Sequence, residues 1–88
     1  MTDTQITIAV HAVTQRDAAH VLWVMRLEGG VQPGNFVEKL IEAAIVADIG
    51  NQERLSRGFE GLVAAVLMYR HLPDGVKRLQ AIASGHPE

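Results

Sequence analysis

Residues 33–69 read PGNFVEKLIEAAIVADIGNQERLSRGFEGLVAAVLMY, and this stretch decides the fold. It holds two helical patterns joined by a short polar turn. In the first, Phe36, Val37, Leu40, Ile41, Ala44 and Ala47 recur at helical spacing on one broad face, opposite Glu38, Lys39 and Glu42. Ile45 and Val46 intrude on the polar side. Asn35 is a suitable cap for this helix. The run Asp48-Ile49-Gly50-Asn51 ends it, with Gly50 or Asn51 able to adopt a left-handed conformation. The second pattern starts near Asn51 and continues to about His71. Its first half is amphipathic: Leu55, Phe59 and Leu62 face inward, while Glu53 and Arg57 form an outward i,i+4 pair. Its second half, Val63, Ala64, Ala65, Val66, Leu67 and Met68, is apolar around nearly the whole circumference. A helix of that kind is buried on all sides, which is hard to arrange inside a small monomer and points to a partner. Gly58, Gly61 and Ala65 share one flank, a groove into which a second helix fits closely. The competing reading is a locally weak helix kinked at Gly58.

Outward from this centre the chain is simpler. Thr14 caps a first helix and Asp17 suits its first turn. That helix runs to about Glu28 and stops at Gly29-Gly30. Ala18, Val21, Leu22 and Met25 share one of its faces, and Trp23 and Leu27, with Arg16 and His20 nearby, share another. Trp23 is either core or the anchor of a protein interface. After Leu72-Pro73-Asp74-Gly75 a short last helix, residues 76–83, turns Val76, Leu79 and Ile82 or Ala83 inward. Before residue 14, Ile6, Ile8 and Val10 alternate with Thr7, Ala9 and His11, a strand-like period. A lone strand needs a partner, so this arm pairs with its copy in another subunit, packs irregularly or, as a lesser option, extends the helical region. The expected architecture is all-α: a small bundle of three main helices and a short fourth, with a β-like arm at residues 1–13, a helical domain at 14–84 and a tail at 85–88.

Composition narrows the function classes. A chain of 88 residues forms one domain with a thin stability margin. The absence of cysteine excludes disulfides and thiolate metal sites. With 48% apolar and 20% charged residues the chain is expected to fold. A net charge of −2 with no basic block gives nonspecific nucleic-acid binding little support. The start, Met1-Thr2-Asp3-Thr4-Gln5, lacks the basic region of a secretory signal, and no apolar run is long enough to span a bilayer. A cytoplasmic protein without membrane contact is expected.

The four histidines, at 11, 20, 71 and 86, make no metal-binding pair at helical spacing. Neither Ser56 nor Ser84 lies in a G-x-S-x-G context, and no phosphate loop is present. The sequence therefore assigns no catalytic residue, no metal and no cofactor, and an enzyme is not expected. Two functional readings remain. One is a self-associating protein-interaction module, a dimer favoured, with a contact surface at Trp23, Leu27, Gly58, Gly61, Ala65 and Met68. The other is a helix-turn-helix DNA-binding regulator that presents Gln52, Arg54 and Arg57 from its second helix.

Pro33-Gly34-x-Phe36, Leu40-Ile41-Glu42-Ala43, Ala47-Asp48, Asn51, Arg54-Leu55, Gly58-Phe59 and residues 62–66 (LVAAV) resemble a group of small uncharacterised helical proteins of actinobacteriophages and their actinobacterial hosts. The resemblance covers somewhat under half of the chain. It implies a phage gene product acting in the bacterial cytoplasm on a host or phage protein, and it carries no activity or catalytic residue across.

Overall fold

The computed structural model describes residues 8–85, which form a short 3-10 turn, Val10–Ala12, followed by five α-helices: α1 Gln15–Val24, α2 Asn35–Val46, α3 Ile49–Gly58, α4 Glu60–His71 and α5 Gly75–Ala83. No strand occurs among the described residues. Of the expected N-terminal strand, Ile6 and Thr7 lie outside the described residues. Val10 sits in the 3-10 turn, and Ile8, Ala9 and Val10 pack partly buried against the core.

Helix α1 begins as its sequence dictates. The Asp17 amide donates to Thr14 Oγ1 at 3.0 Å, and the Thr14 amide donates to the Asp17 carboxylate at 3.1 Å, so a reciprocal capping box satisfies two donors. Its end differs from the expectation. The helix closes at Val24, before Gly29-Gly30, because Arg26 takes a left-handed backbone with φ 61°. The Leu27 amide then donates to the Leu22 carbonyl at 2.9 Å and the Arg26 amide to the Trp23 carbonyl at 3.0 Å. This is a Schellman closure with arginine where glycine is usual. It returns Leu27 to the core beside fully buried Leu22, and that packing offsets the cost of a left-handed non-glycine residue.

Helix α2 buries Ile41 and Ala44, with Val37, Leu40 and Ile45 partly buried beside them. Gly34 occupies its cap position and Asn35 is already helical, so Asn35 is not the cap. Phe36 was expected inward but is 66% exposed. It lies in the first turn, beyond the reach of the core that Val37 and Leu40 enter one residue and one turn later. The α2 to α3 connection contains only Ala47 and Asp48. The Asp48 carboxylate accepts from the Asn51 amide at 2.8 Å and caps α3, so Gly50 and Asn51 start a helix instead of ending one.

The largest departure is the helix expected over residues 51–71. It is two helices, α3 and α4, broken at Phe59 with φ −136° and ψ 54°. Both backbone groups of Phe59 are used: its amide donates to Leu55 and its carbonyl accepts from Val63. The break therefore leaves no orphan polar group at the corner.

Helix α4 is the centre of the fold, in contact with α1, α2, α3, α5 and the 3-10 turn. Leu62, Val63, Ala64, Ala65, Val66 and Met68 are all buried, so the helix that is apolar all round is enclosed inside one chain. Small residues make this possible in so short a sequence. At Gly61 a methyl group would overlap the Ala12 carbonyl and the Asp17 carboxylate; at Gly75 it would overlap the Met68 carbonyl. Side chains tie the shell to itself: Arg70 donates to the Ile45 carbonyl at the end of α2 (2.9 Å), Gln80 to Glu28 (2.9 Å), and Gln15 to Ala83 at the end of α5 (2.9 Å). Each supplies a donor to a carbonyl outside the regular helix ladder. Leu79 and Ile82 of α5 are buried as expected.

Candidate functional site

The six positions expected to form one contact surface are not brought together. Ala65 and Met68 are fully buried in the core. Gly61 lies against Ala12 and Asp17 in the same chain. Leu27 packs on the core and Trp23 is half-buried. Gly58 is exposed with open space where a side chain would project, so close packing explains Gly61 and not Gly58. The apolar surplus that the sequence attributes to α4 is spent on the chain's own core.

The exposed large apolar side chains gather elsewhere. Of six among the described residues, four belong to the limb of α2 and α3 and the corner that follows: Phe36 at 66%, Val46 at 83%, Ile49 at 67% and Phe59 at 41%. Phe36 at the start of α2 and Phe59 at the end of α3 bring their rings to a centroid distance of 6.0 Å with a 55° tilt, within the range of favourable aromatic pairs. Val46 and Ile49 flank the two-residue connection at the other end of the limb. Sequence reasoning missed this surface because Phe36 and Phe59 fit the inward stripe of a helical wheel. The signal lay in Val46, which the periodicity placed on the polar side.

The three residues of the DNA-binding alternative are distributed differently. Gln52 is buried, the one buried residue of α3. Arg54 donates to Asn51 Oδ1 at 3.1 Å, and Arg57 pairs with Glu53 at 4.0 Å, the i,i+4 pair expected. Both arginines are exposed and engaged on their own helix.

A second feature is an open cleft of about 590 Å³ along the outer side of α1. Thr14, Gln15, Arg16, Ala19 and His20 come from α1, Ala83 from the end of α5, and Val31 from the segment that returns from α1 to α2. That segment is fixed: the Val31 amide donates to the Ala19 carbonyl at 3.0 Å, and Gly30 sits so close to the Trp23 backbone that any side chain would clash. Burial lowers the pKa of His20 below 6.5, and the nearby Arg16 charge lowers it further, against an opposing pull from Asp17. Its imidazole is thus mainly neutral at pH 7. Among the described residues no ion pair is formed by Arg16.

No group of three His, Asp or Glu side chains is placed to hold a metal ion, and no helix is long and apolar enough to cross a membrane, among the described residues. Comparison with protein-family models, with curated proteins and with solved structures finds no match.

Proposed function

We propose that this chain is a protein-interaction module that makes its contacts through the α2 and α3 limb. The observation that carries the reading is the presence of Phe36, Val46, Ile49 and Phe59, all exposed, on the two helices least involved in the core and the corner that follows them. Large apolar side chains grouped on a surface and rimmed by charge are the usual mark of a protein contact. The same two helices carry exposed charges of both signs, Lys39 with Glu42 at 3.7 Å and Arg57 with Glu53 at 4.0 Å, suited to such a rim. Because both signs occur in the rim, a second copy of the same surface is a suitable occupant, and the module self-associates as a dimer before or while it engages another protein. In the setting the sequence resemblance implies, that other protein belongs to a bacteriophage or its host and the contact takes place in the bacterial cytoplasm. The proposed role is binding and modulation, with no catalysis.

Molar mass by light scattering across a concentration series tests this directly. The expected result is a dimer that Phe36→Asp or Ile49→Asp converts to monomer, with helical content unchanged. A chain that stays monomeric at the highest concentration, with no partner-dependent loss on the same substitutions, overturns it. Duplex DNA binding at low salt that Arg54→Ala and Arg57→Ala abolish would instead establish the regulator reading.

A further inference from the structure

The cleft beside α1 is separate from the α2 and α3 limb, and its chemistry is different. Its apolar lining is Ala19 on α1, with Val31 and Ala83 from the segments beside it. Its polar lining includes Arg16 and His20, one helical turn apart on the same face of α1. We propose that this cleft binds a carboxylate carried on a short apolar group, with Arg16 as its charge partner and the Ala19, Val31 and Ala83 lining against its apolar part. A guanidinium fork matches a carboxylate with two parallel hydrogen bonds. Nothing among the described residues competes for that fork. The space, about 590 Å³, falls within the range of about 300–1,000 Å³ common for small-ligand sites.

The charge count selects among acids. His20 is mainly neutral at pH 7 and offers one donor and one acceptor. Arg16 is then the single positive charge among the lining residues, and with the Asp17 carboxylate close enough to act on His20 the cleft suits a monoanion better than a phosphate dianion. The walls are also pre-set. Gln15 ties the end of α5 to the start of α1, and the Val31 to Ala19 hydrogen bond holds the returning segment, so binding orders little that is not already ordered. A free small acid and the carboxylate of a peptide terminus both satisfy this chemistry.

The test is a heteronuclear NMR titration of the full chain with phenylacetate, with neutral phenylacetamide, and with an acetylated dipeptide bearing a free carboxylate. Saturable shifts at Arg16, Ala19, His20 and Val31 are expected with the two acids, at about millimolar concentration. Arg16→Gln is expected to weaken them about tenfold, as loss of one charge-assisted contact does, while Arg54→Gln leaves them unchanged. Stronger binding of phenylacetate identifies a free acid as the source, and stronger binding of the dipeptide identifies a chain terminus. Either outcome supports the carboxylate site. Equal response to phenylacetamide, shifts insensitive to Arg16→Gln, or no saturable shift with any probe overturns it. Arg16 is exposed, and a thermal melt of Arg16→Gln that matches the unaltered chain separates loss of binding from loss of stability.

Discussion

Helices α3 and α4 are neighbours in sequence, separated by one residue, yet they stand at opposite ends of the range of burial. Six of the twelve residues of α4 are buried, against one of ten in α3. Helix α4 needs little local help: it has no side-chain cap, and its stability comes from enclosure by every other element. Helix α3 depends on its own surface. Asp48 caps it, Arg54 bonds to Asn51, Arg57 pairs with Glu53, and the Ser56 hydroxyl donates to the Glu53 carbonyl at 2.7 Å. Exposed pairs of this kind contribute only about 0.2–1 kcal/mol each, whereas burying one large aliphatic side chain contributes about 1.5–3 kcal/mol. The contrast shows how a short chain divides its apolar residues: one helix is given the largest share of the interior, and the other is left to present Ile49 and the limb it shares with α2.

That division can be broken most directly at Met68, which is fully enclosed. Met68→Ala should cost about 2–5 kcal/mol in denaturant unfolding, whereas Leu55→Ala on α3 should cost about 1 kcal/mol. Equal losses would mean that the two helices share the core evenly. The glycines sharpen the point next, with opposite signs. Gly61→Ala should destabilise by about 1–3 kcal/mol, because a backbone carbonyl blocks the methyl group, whereas Gly58→Ala should stabilise by about 0.5–1 kcal/mol in open space. A matching sign in thermal melts would undo the assignment of close packing to Gly61 alone. Native-state hydrogen exchange gives a smaller, residue-resolved difference. Amides in the middle of α3 should exchange about tenfold or more faster than those of α4, through local opening; uniform protection would show one cooperative unit.

The smallest effect lies outside both helices and serves them as a reference. The pKa of His20 is lower in the folded chain than its ordinary 6.5, so below pH 6.5 the unfolded chain binds more protons. The stability this residue contributes is complete above pH 6.5 and is lost as pH falls through its folded value. Chemical denaturation between pH 7 and pH 5 should show that decline, and His20→Gln should flatten it. Because α1 packs directly on α4, the decline should appear as global unfolding and not as selective loss of α3.

Much of this was legible in the sequence and some was not, for identifiable reasons. Thr14 and Asp17 announced a cap, Leu79 and Ile82 an inward face, and the all-helical architecture followed from periodicity. The end of α1 was misplaced because two glycines outweighed Arg26, whose left-handed backbone is set by the burial of Leu27 and not by local preference. The corner at Phe59 was legible only as the competing reading, a weak helix kinked at Gly58, and the break falls one residue beyond that glycine. Only the tertiary demand that α4 sit inside the other elements separates it from α3. The candidate surfaces suffered from the same cause: helical spacing tells which residues share a face but not whether that face is the inside, so Met68 was read outward and Phe36 inward. The cleft draws Val31 and Ala83 to α1 across long stretches of sequence, beyond the reach of any local pattern.

The corner has one more implication, for the shape the chain can hold. Phe59 departs from helical dihedrals while its two neighbours, Gly58 and Glu60, belong to regular helix. Were its backbone turned to helical values, α3 and α4 would fuse into one rod of about 35 Å, lifting Ile49 and Leu55 away from the body. The backbone of one residue thus sets the direction in which α3 leaves α4, and the aromatic contact between Phe36 and Phe59 ties that corner to the start of α2.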